Sequence, residues 1–341
     1  MERPYPIVDG DGHITETEQQ VREYLPEPYR SRGASIRAGN NYWNINLNGT
    51  LGREARDAKT WLAALDEGGM EQAVLFPTSL GFTSSLIWEP DLHVAVCKAY
   101  NDFANEEFLK VSPLLRPVAT LPMQDVDEAV KELRRTHEMG FVGAMLPSIG
   151  KHGLLGHRKF FPLYAEAEKL DIMLAVHSAT QGIHHLGADD FERFIDVNTY
   201  CFPVGLFRQF VSMVFAGIPD MFPKLRVGWM EAGCGWVPYW LERMDEKWEI
   251  RGEMETPELK RKPSTVVKER PWYFHTEADE HMLSYFISVM GADKAFFASD
   301  FPHWDGDYPH NVDEMLERDD LDETAKRKVM GENAKELYRL S

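Results

Sequence analysis

Short apolar runs alternate with longer amphipathic stretches along this chain, the pattern of a parallel sheet whose strands are joined by crossover helices. The runs are Pro6 to Asp9, Ala73 to Phe76, Pro117 to Leu121, Val142 to Leu146, Ile172 to Val176, Val227 to Met230, Trp272 to His275 and Ala295 to Ser299. A helix is predicted over Asp57 to Gly69, where Trp61, Leu62 and Leu65 recur at helical spacing and Gly68-Gly69 supplies a stop. Further helices are predicted over Asp91 to Leu109, from an Asp125 cap to Gly140, and over Pro162 to Leu170, Val237 to Ile250 and Asp279 to Met290. Eight such units predict a (β/α)8 TIM barrel. A last helix, Asp322 to Tyr338, is expected to pack against the outside of the barrel.

Two polar stretches interrupt the alternation, Pro26 to Arg56 and Ala179 to Tyr200. They follow the first and fifth strands on the face where barrel sites form, so both read as long loops covering a pocket.

Composition narrows the class. With 341 residues, 43% of them hydrophobic, the chain can bury a large core, and residues 1–341 are expected to form a single domain. A net charge of -18 without any cluster of Lys and Arg disfavours nucleic acid as a partner. Cys97, Cys201 and Cys234 are odd in number, scattered and without CxxC spacing, which predicts buried free thiols. No apolar leader follows Met1 and no run of about 18 apolar residues occurs, so a cytoplasmic protein without a membrane partner is expected.

Candidate chemistry gathers at the strand ends. Asp11 and His13, in Val8-Asp9-Gly10-Asp11-Gly12-His13, sit two apart near the first run, and on an extended strand such residues share a face. His177 follows the fifth run and Asp300 the eighth. Each alone could cap a loop or bond to backbone. Together, three strand ends offer four oxygen or nitrogen donors on the catalytic face of a barrel, and such mixed donors suit Zn, Mn or Fe(II).

Glu231 follows the sixth run and precedes the glycine-rich turn Ala232-Gly233-Cys234-Gly235. It is read as a general acid or base or as a ligand to a second metal, the alternative being a buried ion pair with an Arg such as Arg243. His303, just past the eighth run, is the other catalytic candidate, with Asp305 a weaker one. His184 and His185 lie in the second polar stretch, where surface histidines are common, and His275 is either a site residue or a core residue.

Segments spread over the whole length carry a family likeness: Val8 to His13 with Glu16, Tyr24-Leu25-Pro26, Ala99-Tyr100-Asn101-Asp102, Leu121 to Asp125, Val176-His177, Gly228 to Glu242, Ala298 to Trp304 and Gly331-Glu332-Asn333-Ala334. In these the chain resembles the amidohydrolase superfamily, in the branch of aminocarboxymuconate semialdehyde, resorcylate and carboxyvanillate decarboxylases. The resemblance implies Asp11 and His13 as first-strand ligands, His177 as the fifth-strand ligand and Asp300 as the eighth-strand ligand. It also implies a homo-oligomer. Two departures stand out. Glu231 occupies the place where many members carry a histidine, and Ala144-Met145-Leu146-Pro147 lacks the carboxylated lysine that bridges paired metals.

The implied function is a metal-dependent enzyme acting on a small carboxylate or carbonyl substrate, by non-oxidative decarboxylation or by metal-assisted hydrolysis. Glu231 or His303 would supply the proton in the first case, and Asp300 or Glu231 would accept one in the second. Two other classes stay open. One is a dinuclear iron or manganese oxygenase, with a second ion held by Asp9 and Glu231 together with His185, His275 or His303. The other is a non-catalytic metal-binding subunit that pairs with an active paralogue.

Overall fold

The computed structural model describes residues 3–36, 56–178 and 183–341. Eight strands run in the order β1 (Val8–Ile14), β2 (Gln72–Pro77), β3 (Leu115–Thr120), β4 (Gly143–Pro147), β5 (Met173–His177), β6 (Val227–Met230), β7 (Trp272–Thr276) and β8 (Ala295–Phe297). Each is parallel to the next. The seam between β8 and β1 is closed by two backbone bonds just past β8: Asp300 N–H donates to the Asp11 carbonyl (3.1 Å) and His13 N–H to the Phe301 carbonyl (2.8 Å). The expected (β/α)8 barrel is the fold.

Helices cover the outside as the periodicity predicts. Ala58–Gly68 is capped by Asp57, which accepts from Thr60 N–H, and stopped by Gly69 at φ 63°. Val126–Met139 is framed the same way by Asp125 and by Gly140 at φ 98°. Their apolar faces, with Trp61, Leu133, Leu163, Phe210 and Leu241, pack on the outward side chains of the strands. Inside, Val74, Val118, Met145, Met173, Met230 and Phe296 fill a separate cluster, so the barrel is a packed core rather than a pore.

Three expectations need correction. The first strand begins later and extends to Ile14, so Asp11 and His13 lie within it and not beyond its end. The stretch Ala179 to Tyr200 is not loop throughout: the helix Phe194–Phe215 begins inside it, because Val197 and Cys201 give that turn a buried face despite its polar neighbours. Residues 179–182 of that stretch, and 37–55 of the first polar stretch, lie outside the described residues.

The C-terminal helix is the third. It runs through Glu323–Arg327, one π-helical turn at Lys328–Glu332, and Asn333–Tyr338, and it closes the bottom of the barrel instead of packing on its outside. Ala334, Leu337 and Tyr338 belong to the interior cluster, and Tyr338 Oη donates to the Gly10 carbonyl at 2.7 Å. Gly331 lets this helix come close to the chain entering β1, since a Cβ there would stand 2.4 Å from the Pro6 carbonyl oxygen. Among the described residues no helix is long and apolar enough to cross a membrane.

Candidate metal centre

The register of β1 explains how its donors reach the barrel axis. Asp9 pairs with Ala73 and Gly12 with Leu75, so three steps along β1 match two along β2. One extra residue is thus accommodated as a bulge, a device that re-aims side chains. A Cβ on Gly10 would meet the interior ring of Phe296 at 2.5 Å, whereas one on Gly12 would meet Trp61, on the outer helix, at 2.2 Å. Asp11 and His13 both turn inward around that irregularity. Trp61 Nε1–H holds the end of the strand through the His13 carbonyl at 3.0 Å.

The other donors come from the ends of β5, β6 and β8. His177 closes β5, level with Met230 on β6. Glu231 follows β6 directly, whereas β8 ends at Phe297, short of the expected Ser299, so Asp300 stands three residues past it; both take left-handed backbone, each at φ 53°. For residues other than glycine this conformation costs of the order of 1 to 3 kcal/mol, and it turns both carboxylates back over the barrel mouth.

His13 Nε2 faces three carboxylates, at 3.1 Å from Glu231, 3.3 Å from Asp300 and 3.5 Å from Asp11. His177 Nε2 stands 3.4 Å from Asp11 Oδ2, and its Nδ1 the same distance from Glu231 Oε2. The ring orientations decide what these nitrogens offer. His13 Nδ1 is 3.0 Å from the Pro77 carbonyl and His177 Nδ1 is 2.8 Å from the Ser178 carbonyl. A carbonyl only accepts, so both protons sit on Nδ1 and both Nε2 lone pairs point into the cluster.

Both Asp11 oxygens and both Nε2 atoms are buried without a hydrogen-bond partner. Lone pairs facing lone pairs in a buried pocket repel strongly, and a cation at their centre removes the conflict. The residues present therefore fit a divalent metal ion. Donor atoms of Asp11, His13, His177 and Glu231 all lie within 4.8 Å of one another, as do those of His13, Glu231, Asp300 and His303.

Electrostatics agrees with that donor set. Burial pushes His177 down to about 3 and holds His13 well below the usual imidazole range, which keeps both neutral. Burial, and then the Asp300 charge, raises Asp11 and Glu231 well above the ordinary carboxylate range in the bare protein. Asp300 resists its own burial because His303 lies beside it, and it is held down at about 2. His303 Nδ1 is 2.7 Å from Asp300 Oδ1, and that contact raises the imidazole despite burial.

The remaining candidates separate clearly. Glu231 faces imidazoles, and among the described residues no ion pair joins it to Arg243. His275 points inward from β7, its Nδ1 accepting from Glu231 N–H at 3.1 Å, so it supports the Glu231 turn. Asp9 is not available as a ligand to a second metal, because its oxygens accept from Ser299 N–H (2.9 Å), Ser299 Oγ–H (2.5 Å) and Asp11 N–H (3.3 Å). Asp305 and His185 are exposed, and His184 is an exposed residue paired with Asp189. Sequence reasoning missed Thr78, whose hydroxyl lies 3.3 Å from His303 Nε2, and the Pro77 carbonyl that orients His13. The signal was position alone, since both directly follow the second apolar run.

The barrel and its donors at the strand ends define a class, and comparison with known proteins agrees. The amidohydrolase family profile matches residues 8–340, so the chain belongs to that family. It is 25% identical to a gamma-resorcylate decarboxylase of Polaromonas sp. over 252 residues, 71% of this chain and 75% of that one. Its fold matches an amidohydrolase from Mycobacterium avium subsp. paratuberculosis with a TM-score of 0.81, at 18% identity over 99% of this chain and 100% of the other. A dihydroxybenzoic acid decarboxylase from Polaromonas sp., solved with bound manganese, matches with a TM-score of 0.74, at 20% identity over 98% of this chain and 97% of the other.

Proposed function

We propose that the chain, as one domain, is a metal-dependent carboxy-lyase that removes CO2 from a small carboxylate without oxidation. The observation that supports it most is the set of buried, partnerless donors on Asp11, His13 and His177, joined by Asp300. These four would hold the ion. When bound, a divalent ion such as manganese would act as a Lewis acid and as a template for the substrate carboxylate and a neighbouring oxygen.

The chain's own groups do the rest. Loss of CO2 breaks a carbon–carbon bond and leaves its electron pair on the substrate carbon, which must take a proton. His303, paired with Asp300 and 3.8 Å from Glu231, holds a proton at the site, and Glu231 is the second group able to carry one. The rings of Phe76 and Phe82, 5.0 and 4.6 Å from the His177 ring, wall off water on one side.

The test is a panel of carboxyl-labelled hydroxybenzoates incubated with Mn2+-loaded protein in D2O under nitrogen. Labelled CO2 and one deuterium on the vacated carbon are expected. Absence of labelled CO2 from every member of the panel, with hydrolysis of an aryl ester or lactone offered beside it, would overturn the lyase reading. A second reading, a dinuclear oxygenase, draws on the overlapping donor group His13, Glu231, Asp300 and His303. Two ions per chain and substrate-dependent O2 uptake would carry it. Turnover by the chain alone would reject the non-catalytic subunit. The family resemblance supports a homo-oligomer, and sedimentation of the purified chain tests the assembly.

A further inference from the structure

Glu16 lies three residues beyond His13 in the turn after β1 and is only 3% exposed. Its Oε1 accepts from the backbone N–H groups of Ser79 (2.8 Å), Leu80 (2.6 Å) and Gly81 (3.3 Å), and its Oε2 from that of Thr78 (3.0 Å). Four consecutive peptide groups just past β2 therefore converge on one buried carboxylate. The bend is tight: a Cβ on Gly81 would stand 2.1 Å from Pro77 Cβ.

The other side of the same segment faces the metal centre. The Pro77 carbonyl accepts from His13 Nδ1, and Thr78 Oγ1 lies against His303 Nε2. One carboxylate thus fixes a peptide, and that peptide fixes two imidazoles. Burying a carboxylate costs several kcal/mol, which charge-assisted bonds to backbone N–H groups offset. An amide could not replace it. Glutamine has one acceptor oxygen, so its NH2 group would confront Thr78 N–H, next to the carbonyl that orients His13.

We infer that Glu16 is a positioning residue that sets the direction of His13 Nε2 and of His303 through residues 77–81 before any ion arrives. The inference rests on reading the donor cluster as a metal centre. Glu16 itself touches neither ion nor substrate.

The test compares the wild-type chain with Glu16→Gln by Mn2+ titration calorimetry, by the visible spectrum of the Co2+-loaded protein and by thermal melting. Hydrogen exchange of the wild-type chain is followed with and without Mn2+. Removing outer partners of metal ligands lowers metal affinity about 10–100-fold, and that drop is expected for Glu16→Gln, with altered Co2+ bands. A merely structural defect would lower the melting temperature and leave the Co2+ bands in place. The amides of 78–81 should be equally protected in metal-free and Mn2+-loaded wild-type protein. Wild-type affinity and spectrum in Glu16→Gln would overturn the inference, as would amides protected only after Mn2+ binds. Should Glu16→Gln fail to fold, the exchange experiment decides. A wild-type chain that binds no Mn2+ would instead overturn the metal-centre reading, and exchange at 78–81 would still report on the clamp.

Discussion

The two ends of this barrel treat buried polar groups in opposite ways. At the bottom, the Tyr338 hydroxyl is matched to the Gly10 carbonyl amid Ala334, Leu337 and the inward side chains of the strands. At the top, charged and imidazole groups crowd together and several of their atoms have no partner. The contrast is sharpest on one strand. Asp9 and Asp11 are both fully buried, yet Asp9 accepts three hydrogen bonds and Asp11 accepts none. A buried carboxylate without partners is costly, so a fold that keeps one next to satisfied neighbours is reserving it for something it will bind.

Substitutions at the top should break function and leave the fold. His177→Ala is expected to lower Mn2+ affinity by more than about 100-fold, beyond the range for outer partners, as read by calorimetry. Turnover should fall with it, because the several kcal/mol supplied by the ion would be lost. Glu231→Gln should keep the ion and slow turnover by about 10²–10⁴-fold, the contribution of a positioned acid or base, measured by CO2 release at saturating metal. Loss of metal from that variant would make Glu231 a ligand.

Substitutions at the bottom should do the reverse. Leu337→Ala removes a fully buried side chain from the plug and is expected to destabilise by about 2–5 kcal/mol in urea unfolding, with Mn2+ affinity unchanged. Tyr338→Phe deletes one hydrogen bond and should cost about 1 kcal/mol by the same measurement. A bottom variant that weakened metal binding as much as a top variant would erase the distinction.

The legible parts of the molecule are those that local periodicity controls. Each strand is an apolar run, and His177, Glu231 and Asp300 follow such runs directly, so their convergence could be read from the rule that barrel sites form at strand ends. The bulge in β1 could not be read, because one extra residue leaves no mark on the apolar pattern. The resting place of the C-terminal helix was also hidden. Its pattern shows a buried face but not which surface receives it, and the residues that receive it, such as Val8, Tyr273 and Phe296, are distant in sequence. The spacing to His13 and the family likeness singled out Asp11, but that Asp9 is spent on hydrogen bonds from Ser299, just past β8, was not readable from the sequence.

Anomalous scattering from crystals grown with Mn2+ would examine the donor cluster itself. One peak is expected in direct contact with Asp11, His13 Nε2, His177 Nε2 and Asp300, at roughly the 2.0–2.2 Å that zinc takes on nitrogen and oxygen ligands. Manganese bound elsewhere, or these four side chains left without an ion at saturating Mn2+, would contradict it.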